Sequence, residues 1–391
     1  MLIWINIRAN TILKSVCSNI LLLFLMNSII IIIVFLLLGT SCSENKQQPK
    51  DFIEIDMVPA IEGKAKEMPL QEWAKSVRFI PLETSDNILM REIVNVFQRE
   101  EKLLVFHIGR VSIFDLNGKY LYDIGSRGQG PTEYTGVSDV TIHNDLIYIH
   151  ESRNRIKAYD WDGNFVKRLL LPVKTAGLIT LPDKEEMLAY VTNVSGEETV
   201  RFYHLRGEQV LDSVPNPFIY PRKQGSILMG FNPDFMLSQG SLTAFIELNS
   251  DTVFRVDENL KTHPYIVFNL GEYLFTRERR YNRTLTEVQR NPNILDGKYP
   301  LMVSGEIGEK VFIRNGFAST NHTSIFDNEH TFCYDKQTEE VNKYFLTYPE
   351  NDLDIPEGAA FVPRFILDNK YLVDWELPDN EENPVLILVE P

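Results

Sequence analysis

The chain is 391 residues long, with 44% hydrophobic and 24% charged residues, the balance of a folded protein rather than a disordered one and enough for a large core or two domains. Its formal net charge of −15 argues against a nucleic-acid partner, because phosphate binding needs a basic field. Aromatic residues reach 11%, with 23 Phe and 16 Tyr, a palette that packs well on pleated surfaces.

The first element is apolar. Ile20 to Leu38 is interrupted only by Asn27 and Ser28, and about 20 such residues can span a bilayer. Arg8 and Lys14 precede it and no acidic residue occurs before Cys42. Gly39-Thr40-Ser41-Cys42 follows at once, small residues of the kind a signal peptidase accepts near its cut. This junction resembles a lipoprotein signal, in which the cysteine is acylated and becomes the new N-terminus. The usual pattern has Leu three residues before the cysteine; here Gly39 stands there, with Leu38 one place further back. The resemblance implies a signal peptide over 1–41, lipidation at Cys42 and attachment to a membrane of the cell envelope, the outer membrane by expectation. Translation from Met26 would give a shorter segment without a basic start. An uncleaved anchor would make Cys42 incidental, yet would equally place residues 43–391 outside the inner membrane. Ser43 to Lys50 is polar and reads as part of a flexible tether over 42–51.

The body, 52–391, contains a repeat. Leu103 to Ile108 and Val111 to Leu121 align with Leu146 to Glu151 and Ile156 to Val166, so that Asp115 matches Asp160 and Gly118 matches Gly163. Each unit alternates apolar and polar residues with the two-residue period of a half-buried strand. Asp-Leu-Asn-Gly or Asp-Trp-Asp-Gly then supplies a tight hairpin turn. A repeat of about 45 residues holding four short strands marks a propeller blade. Weaker turns of the same kind occur at Phe202–Gly207, Val256–Leu260 and Tyr334–Thr338, and a C-terminal unit combines Phe365–Val373 with Val385–Val389. Counting these gives six blades. The alternating stretch Phe52–Met57 is expected to close the ring by completing the last blade, with Trp73 to Leu82 starting the first. Asn216–Asp234 and Thr276–Asn293 interrupt the pattern, the latter polar, Arg-rich and of helical character.

Between the two clear units lies Gly128-Gln-Gly130-Pro131-Thr132-Glu133-Tyr134, followed by Arg153-Asn154-Arg155-Ile156 and Tyr159-Asp160. These steps resemble NHL-type repeats. More broadly, the chain is similar to six-bladed β-propeller lipoproteins of Bacteroides-like bacteria, a family of largely unknown function. That resemblance covers roughly 52–389 and is most specific over 84–166. It implies an all-β, six-bladed propeller behind an N-terminal signal and lipid-anchor segment.

Chemistry is harder to read. Cys333 is the one cysteine outside the leader and Cys42, and its alternation with aromatics predicts a buried strand thiol, so no disulfide framework forms within one mature chain. His107 and His150 occupy equivalent repeat positions. They are candidate metal ligands if both face a channel, and repeated packing residues otherwise. Asp115, Asp160, Asp257 and Asp335 read as turn acids that accept backbone N–H bonds rather than as a calcium ring. Arg127, Glu133 and Tyr134 are expected to stitch neighbouring blades. Arg153 and Arg155 are candidates for binding an acidic group, or are solvated surface. No phosphate loop, nucleophile elbow or other catalytic set is legible. The sequence therefore predicts an envelope module that binds a glycan, a peptide or a protein, with no catalytic residue assigned. The alternative is a metal-dependent lyase or lactone hydrolase, which some six-bladed propellers are, with calcium or zinc in the central channel. A structural or sensory partner of a membrane complex is a third reading.

Overall fold

The computed structural model describes residues 52–86, 88–152, 154–181, 185–222, 224–226, 234–239, 242–247, 249–290, 297–315, 329–349, 353–380 and 382–391. Among them no helix is long and apolar enough to cross a membrane. The leader and Cys42 lie outside these residues.

Six sheets form the blades of a propeller. Blade 1 runs Ile93–Arg99, Lys102–His107, Arg110–Asp115 and Tyr120–Asp123. Blade 2 is Asp139–His143, Leu146–Ser152, Arg155–Tyr159 and Phe165–Leu170. Blade 3 is Gly177–Thr180, Glu186–Tyr190, Val200–Arg206 and Gln209–Pro215. Blade 4 is Asp234–Gln239, Leu242–Glu247, Thr252–Val256 and Thr262–Asn269. Blade 5 is Leu301–Ile307, Lys310–Asn315, Thr331–Asp335 and Glu340–Thr347. Blade 6 takes Phe365–Leu367, Tyr371–Glu376 and Val385–Glu390 from the C-terminus and Ser76–Pro81 from the N-terminal side.

The burial pattern explains the sequence pattern. Middle strands such as Lys102–His107 and Val385–Glu390 are buried almost throughout, because a neighbouring blade covers each of their faces. They therefore read as continuous apolar runs. Outer strands such as Phe165–Leu170 and Gln209–Pro215 are mostly exposed and carry the polar residues. Six buried clusters each lie between two adjacent blades. One joins blade 6 to blade 1 through Trp375, Leu386, Val105 and Phe114. The others follow around the ring. Cys333 belongs to the cluster between blades 5 and 6, where burial pushes its thiol up to about 11.

Ring closure differs from the expectation. Phe52–Met57 does not complete the last blade: Ile53–Asp56 adds in parallel to the outer strand of blade 4, Ile53 beside Ile266 and Asp56 beside Asn269. Lys66–Pro69 adds in the same way to blade 5. The closing strand is Ser76–Pro81, antiparallel to Val385–Glu390 in blade 6, so Trp73 to Leu82 does not start blade 1. The N-terminal stretch is thus a belt across the rims of blades 4, 5 and 6. Alternation in Phe52–Met57 predicted a strand correctly but carried no information on which edge receives it.

Two short helices, Arg277–Tyr281 and Leu285–Arg290, occupy the stretch between blades 4 and 5. Thr276 caps the first, its side chain accepting from Arg279 N.

Candidate functional site: the face of the blade-to-blade linkers

Strand alternation gives the propeller two unlike faces. The turns between first and second and between third and fourth strands share one face. The second-to-third-strand turns and the blade-to-blade linkers share the other.

The first face is built by local turn chemistry. Asp115 Oδ1 accepts from Asn117 N (2.8 Å) and Lys119 N (2.9 Å). Asp160 does the same for Asp162 N and Asn164 N, Asp257 for Asn259 N and Lys261 N, and Asp335 for Gln337 N and Thr338 N. Their carboxylates are engaged by the hairpins, as the turn reading predicted. Gly118 and Gly163 hold the left-handed position (φ +86° and +84°), a place taken in blade 4 by Leu260 (φ +61°).

The linker face carries buried polar groups in every blade. In blade 1, His107 Nε2 lies 3.0 Å from Ser112 Oγ. Ser112 gives its proton to Asp123 Oδ1 (2.7 Å), so the ring donates, a tautomer assigned from the network. Arg110 pairs with the other oxygen of Asp123. In blade 2, His150 Nδ1 lies 2.7 Å from Ser138 Oγ and its Nε2 3.0 Å from Thr175 Oγ1. Burial lowers both imidazoles to about 4. Each histidine thus sits in a hydroxyl network of its own. A divalent ion needs several converging donors, and among the described residues no group of three or more His, Cys, Asp or Glu is arranged to hold one.

Arg155 is nearly half exposed, donates to Thr135 Oγ1 (3.2 Å) and lies 3.9 Å from Glu151 Oε2. Arg153 lies outside the described residues. Glu151 is buried, faces Lys157 Nζ at 4.0 Å and accepts from Thr135 N at 2.8 Å. The linker before blade 2 is likewise structural. Glu133 Oε2 accepts from Gly130 N (2.8 Å). A Cβ on Gly128 would fall 1.9 Å from that same oxygen. Arg127 bridges to Tyr134 across the linker. Tyr134 is buried between blades 1 and 2, edge-on to Tyr159.

Two larger charged clusters escaped the sequence reading. Between blades 3 and 4, Glu247 is fully buried, with Arg201 Nη1 3.8 Å and Arg280 Nη1 3.6 Å away. Asn193 Nδ2 donates to its Oε1 (2.9 Å). Arg280 also donates to Asn249 Oδ1 (2.5 Å), and Tyr281 to Asn193 O (2.8 Å). The cluster thereby fastens the helix Arg277–Tyr281 to the linker face.

Between blades 5 and 6, Asp374 accepts from Val362 N (2.8 Å), Trp375 N (2.8 Å), Arg364 Nε (2.7 Å) and the Tyr348 hydroxyl (3.1 Å). Glu376 Oε1 lies 3.4 Å from the same hydroxyl. Burial, with Asp374 adding repulsion, pushes its carboxyl up to about 8. Arg314 is the penultimate residue of the second strand of blade 5, and burial beside Arg364 lowers it to about 10. On the inner strand of blade 2, burial raises Asp139 to about 7. Carboxyls held near neutrality on one face of a propeller mark a candidate site.

One signal for these groups does exist in the sequence. Second strands end an apolar run on a polar residue: Leu-Val-Phe-His107, Ile-Tyr-Ile-His150, Ala-Phe-Ile-Glu247, Val-Phe-Ile-Arg314 and Leu-Val-Asp374. The pattern is visible only when the blades are aligned, and the repeats beyond the first two blades, which pair His107 with His150, are too degenerate to align from sequence.

Fold and faces together define a six-bladed β-propeller with a polar linker face. Residues 52–383 match the family described as a domain of unknown function, DUF4934; the chain belongs to this family. Among curated proteins none matches. Of solved structures, a protein of Bacteroides fragilis whose name calls it exported is similar at 15% identity and TM-score 0.60, over 87% of this chain and 99% of that one. A member of the DUF4221 family from Bacteroides vulgatus is 13% identical (TM-score 0.48; 81% and 97% covered). Virginiamycin B lyase from Staphylococcus aureus is 12% identical (TM-score 0.46; 81% and 99% covered). At these identities the likeness is one of fold.

Proposed function

We propose that the protein is a lipid-anchored binding module of the cell envelope that receives its ligand, a glycan, a peptide or an envelope protein, on the linker face. The observation that carries this reading is the concentration of buried charged groups there, while the acids of the opposite face are engaged in their own hairpin turns. Binding residues concentrate on loops held by a rigid scaffold, and a ring of blades is such a scaffold. The apolar leader ending at Cys42 supports attachment to a membrane, and the exported relative from Bacteroides fragilis supports export.

Glycan and peptide arrays probed with the full chain in detergent test the reading. A ligand should be found whose capture is lost when the exposed linker residue Lys174 is replaced by Trp and kept when the exposed turn residue Lys119 is so replaced. Capture blocked only by Lys119→Trp would overturn the assignment of the face. For the anchor, Cys42→Ala should move the protein out of the membrane fraction.

A further inference from the structure

We propose that Arg314 and Arg364 form a carboxylate-binding subsite on the linker face, at the boundary of blades 5 and 6. This rests on the binding-module reading and names the chemistry of one part of the ligand.

Arg364 Nε donates to Asp374 Oδ1 (2.7 Å), and Arg314 lies within electrostatic reach of both. Arg314 Nη1 donates to the neighbouring carbonyl of Asn315 (3.2 Å), whereas its Nε is buried with no hydrogen-bond partner among the described residues. The Nε side of the group thus has no acceptor among the described residues, and the Nε–Nη2 edge of a guanidinium matches a carboxylate with two parallel hydrogen bonds. A buried donor left without an acceptor is costly, which favours a ligand that supplies one. Arg364 is held in plane by Asp374 at its Nε and by the Trp375 ring, 4.5 Å from guanidinium carbon to ring centroid. Its side chain keeps 23% of its surface exposed.

The acids present do not answer both cations. Asp374 already accepts four hydrogen bonds. Burial and the neighbouring Asp374 raise the Glu376 carboxyl and favour its protonated form, which leaves it a weak partner for a cation. Two guanidinium charges thus face one carboxylate, in a chain whose net charge is −15. A second carboxylate, from a uronic acid or from a peptide, completes the set.

The experiment is calorimetric titration of the full chain in detergent at constant ionic strength with sodium glucuronate, sodium N-acetylglycinate and glucose, alongside Trp fluorescence. At least one of the two carboxylates should give a saturable response and glucose none. Which of them binds identifies the source as sugar or peptide. Arg314→Gln should weaken binding at least about tenfold, the loss of a charged bidentate contact, and Arg314→Lys should restore it only in part.

A pH profile supplies a second readout that does not depend on that variant folding. The groups facing Glu376 are Asp374, Arg364 and Tyr348, and the Tyr348 hydroxyl titrates far above the window. Affinity should fall as the pH rises through about 8, because ionised Glu376 competes for the cations. In Glu376→Gln that step should vanish.

Absence of a saturable response to either acid up to about 100 mM, where even a millimolar site fills, would overturn the proposal. So would wild-type affinity in Arg314→Gln, or a pH step that survives Glu376→Gln. An array ligand that binds Arg314→Gln normally but is blocked by Lys174→Trp would remove the subsite and leave the binding face standing.

Discussion

At the scale of single residues, two positions show how strongly the ring constrains its parts. Gly118 has φ +86°, and a Cβ there would lie 2.1 Å from the carbonyl oxygen of Pro81, at the end of the closing strand. Glu83 N donates to the Gly118 carbonyl at 2.8 Å, so the turn of blade 1 and the rim of blade 6 cannot separate easily. Gly118→Ala should therefore cost about 2–4 kcal/mol, from left-handed strain plus overpacking, read by denaturant unfolding. His150 makes a pH prediction. Burial holds the folded ring neutral down to about 4, while in the unfolded chain it protonates near 6.5. The unfolded state takes up its proton first, so stability present above pH 6.5 is lost as the pH falls towards 4, on the order of 3 kcal/mol for one such group. His150→Gln, which cannot protonate, should have a lower Tm than wild type at about pH 7.5, and the gap should narrow at about pH 4.5.

At the scale of elements, the N-terminal belt separates two roles that look alike in sequence. Ile53–Asp56 and Lys66–Pro69 cover edges of blades that already have four strands. Ser76–Pro81 supplies a fourth strand that blade 6 otherwise lacks. Deleting residues 52–69 should lower Tm while leaving one cooperative transition, since the ring still closes. The loss includes the burial of Ile55 and Met57 against blade 4, which at roughly 25 cal/mol per Å² of apolar surface is a substantial share of a marginal stability.

At the scale of the whole molecule, closure couples every blade to two neighbours. Deleting residues through Pro81 removes Ile80 from the cluster joining blades 6 and 1 and leaves Val385–Glu390 as an open apolar edge. Such an edge invites pairing with other chains. The expected outcome is loss of cooperative unfolding and aggregation, read by circular dichroism and light scattering. The two faces are set at this scale too, because the strand alternation of all six blades decides which loops gather together.

Much of the body was legible from residues alone. Strands and hairpin turns follow from local chemistry: Asp115 and Gly118, or Asp160 and Gly163, set a turn within five residues, and apolar alternation sets the strands on either side. The burial of Cys333 was legible for the same reason. Long-range pairing was not. Nothing in Phe52–Met57 says that it meets blade 4 rather than blade 6, since its pattern fits any exposed strand edge. Nor does the sequence bring Arg314, Tyr348, Arg364, Asp374 and Glu376 together. They come from two blades and the linker between them, and each looks like an isolated polar residue in its own segment. The sequence by itself thus determined the strands, their turns and the propeller they imply. Only the tertiary structure decided which strand closes the ring and which charges share a buried site, because both depend on contacts that local periodicity does not encode.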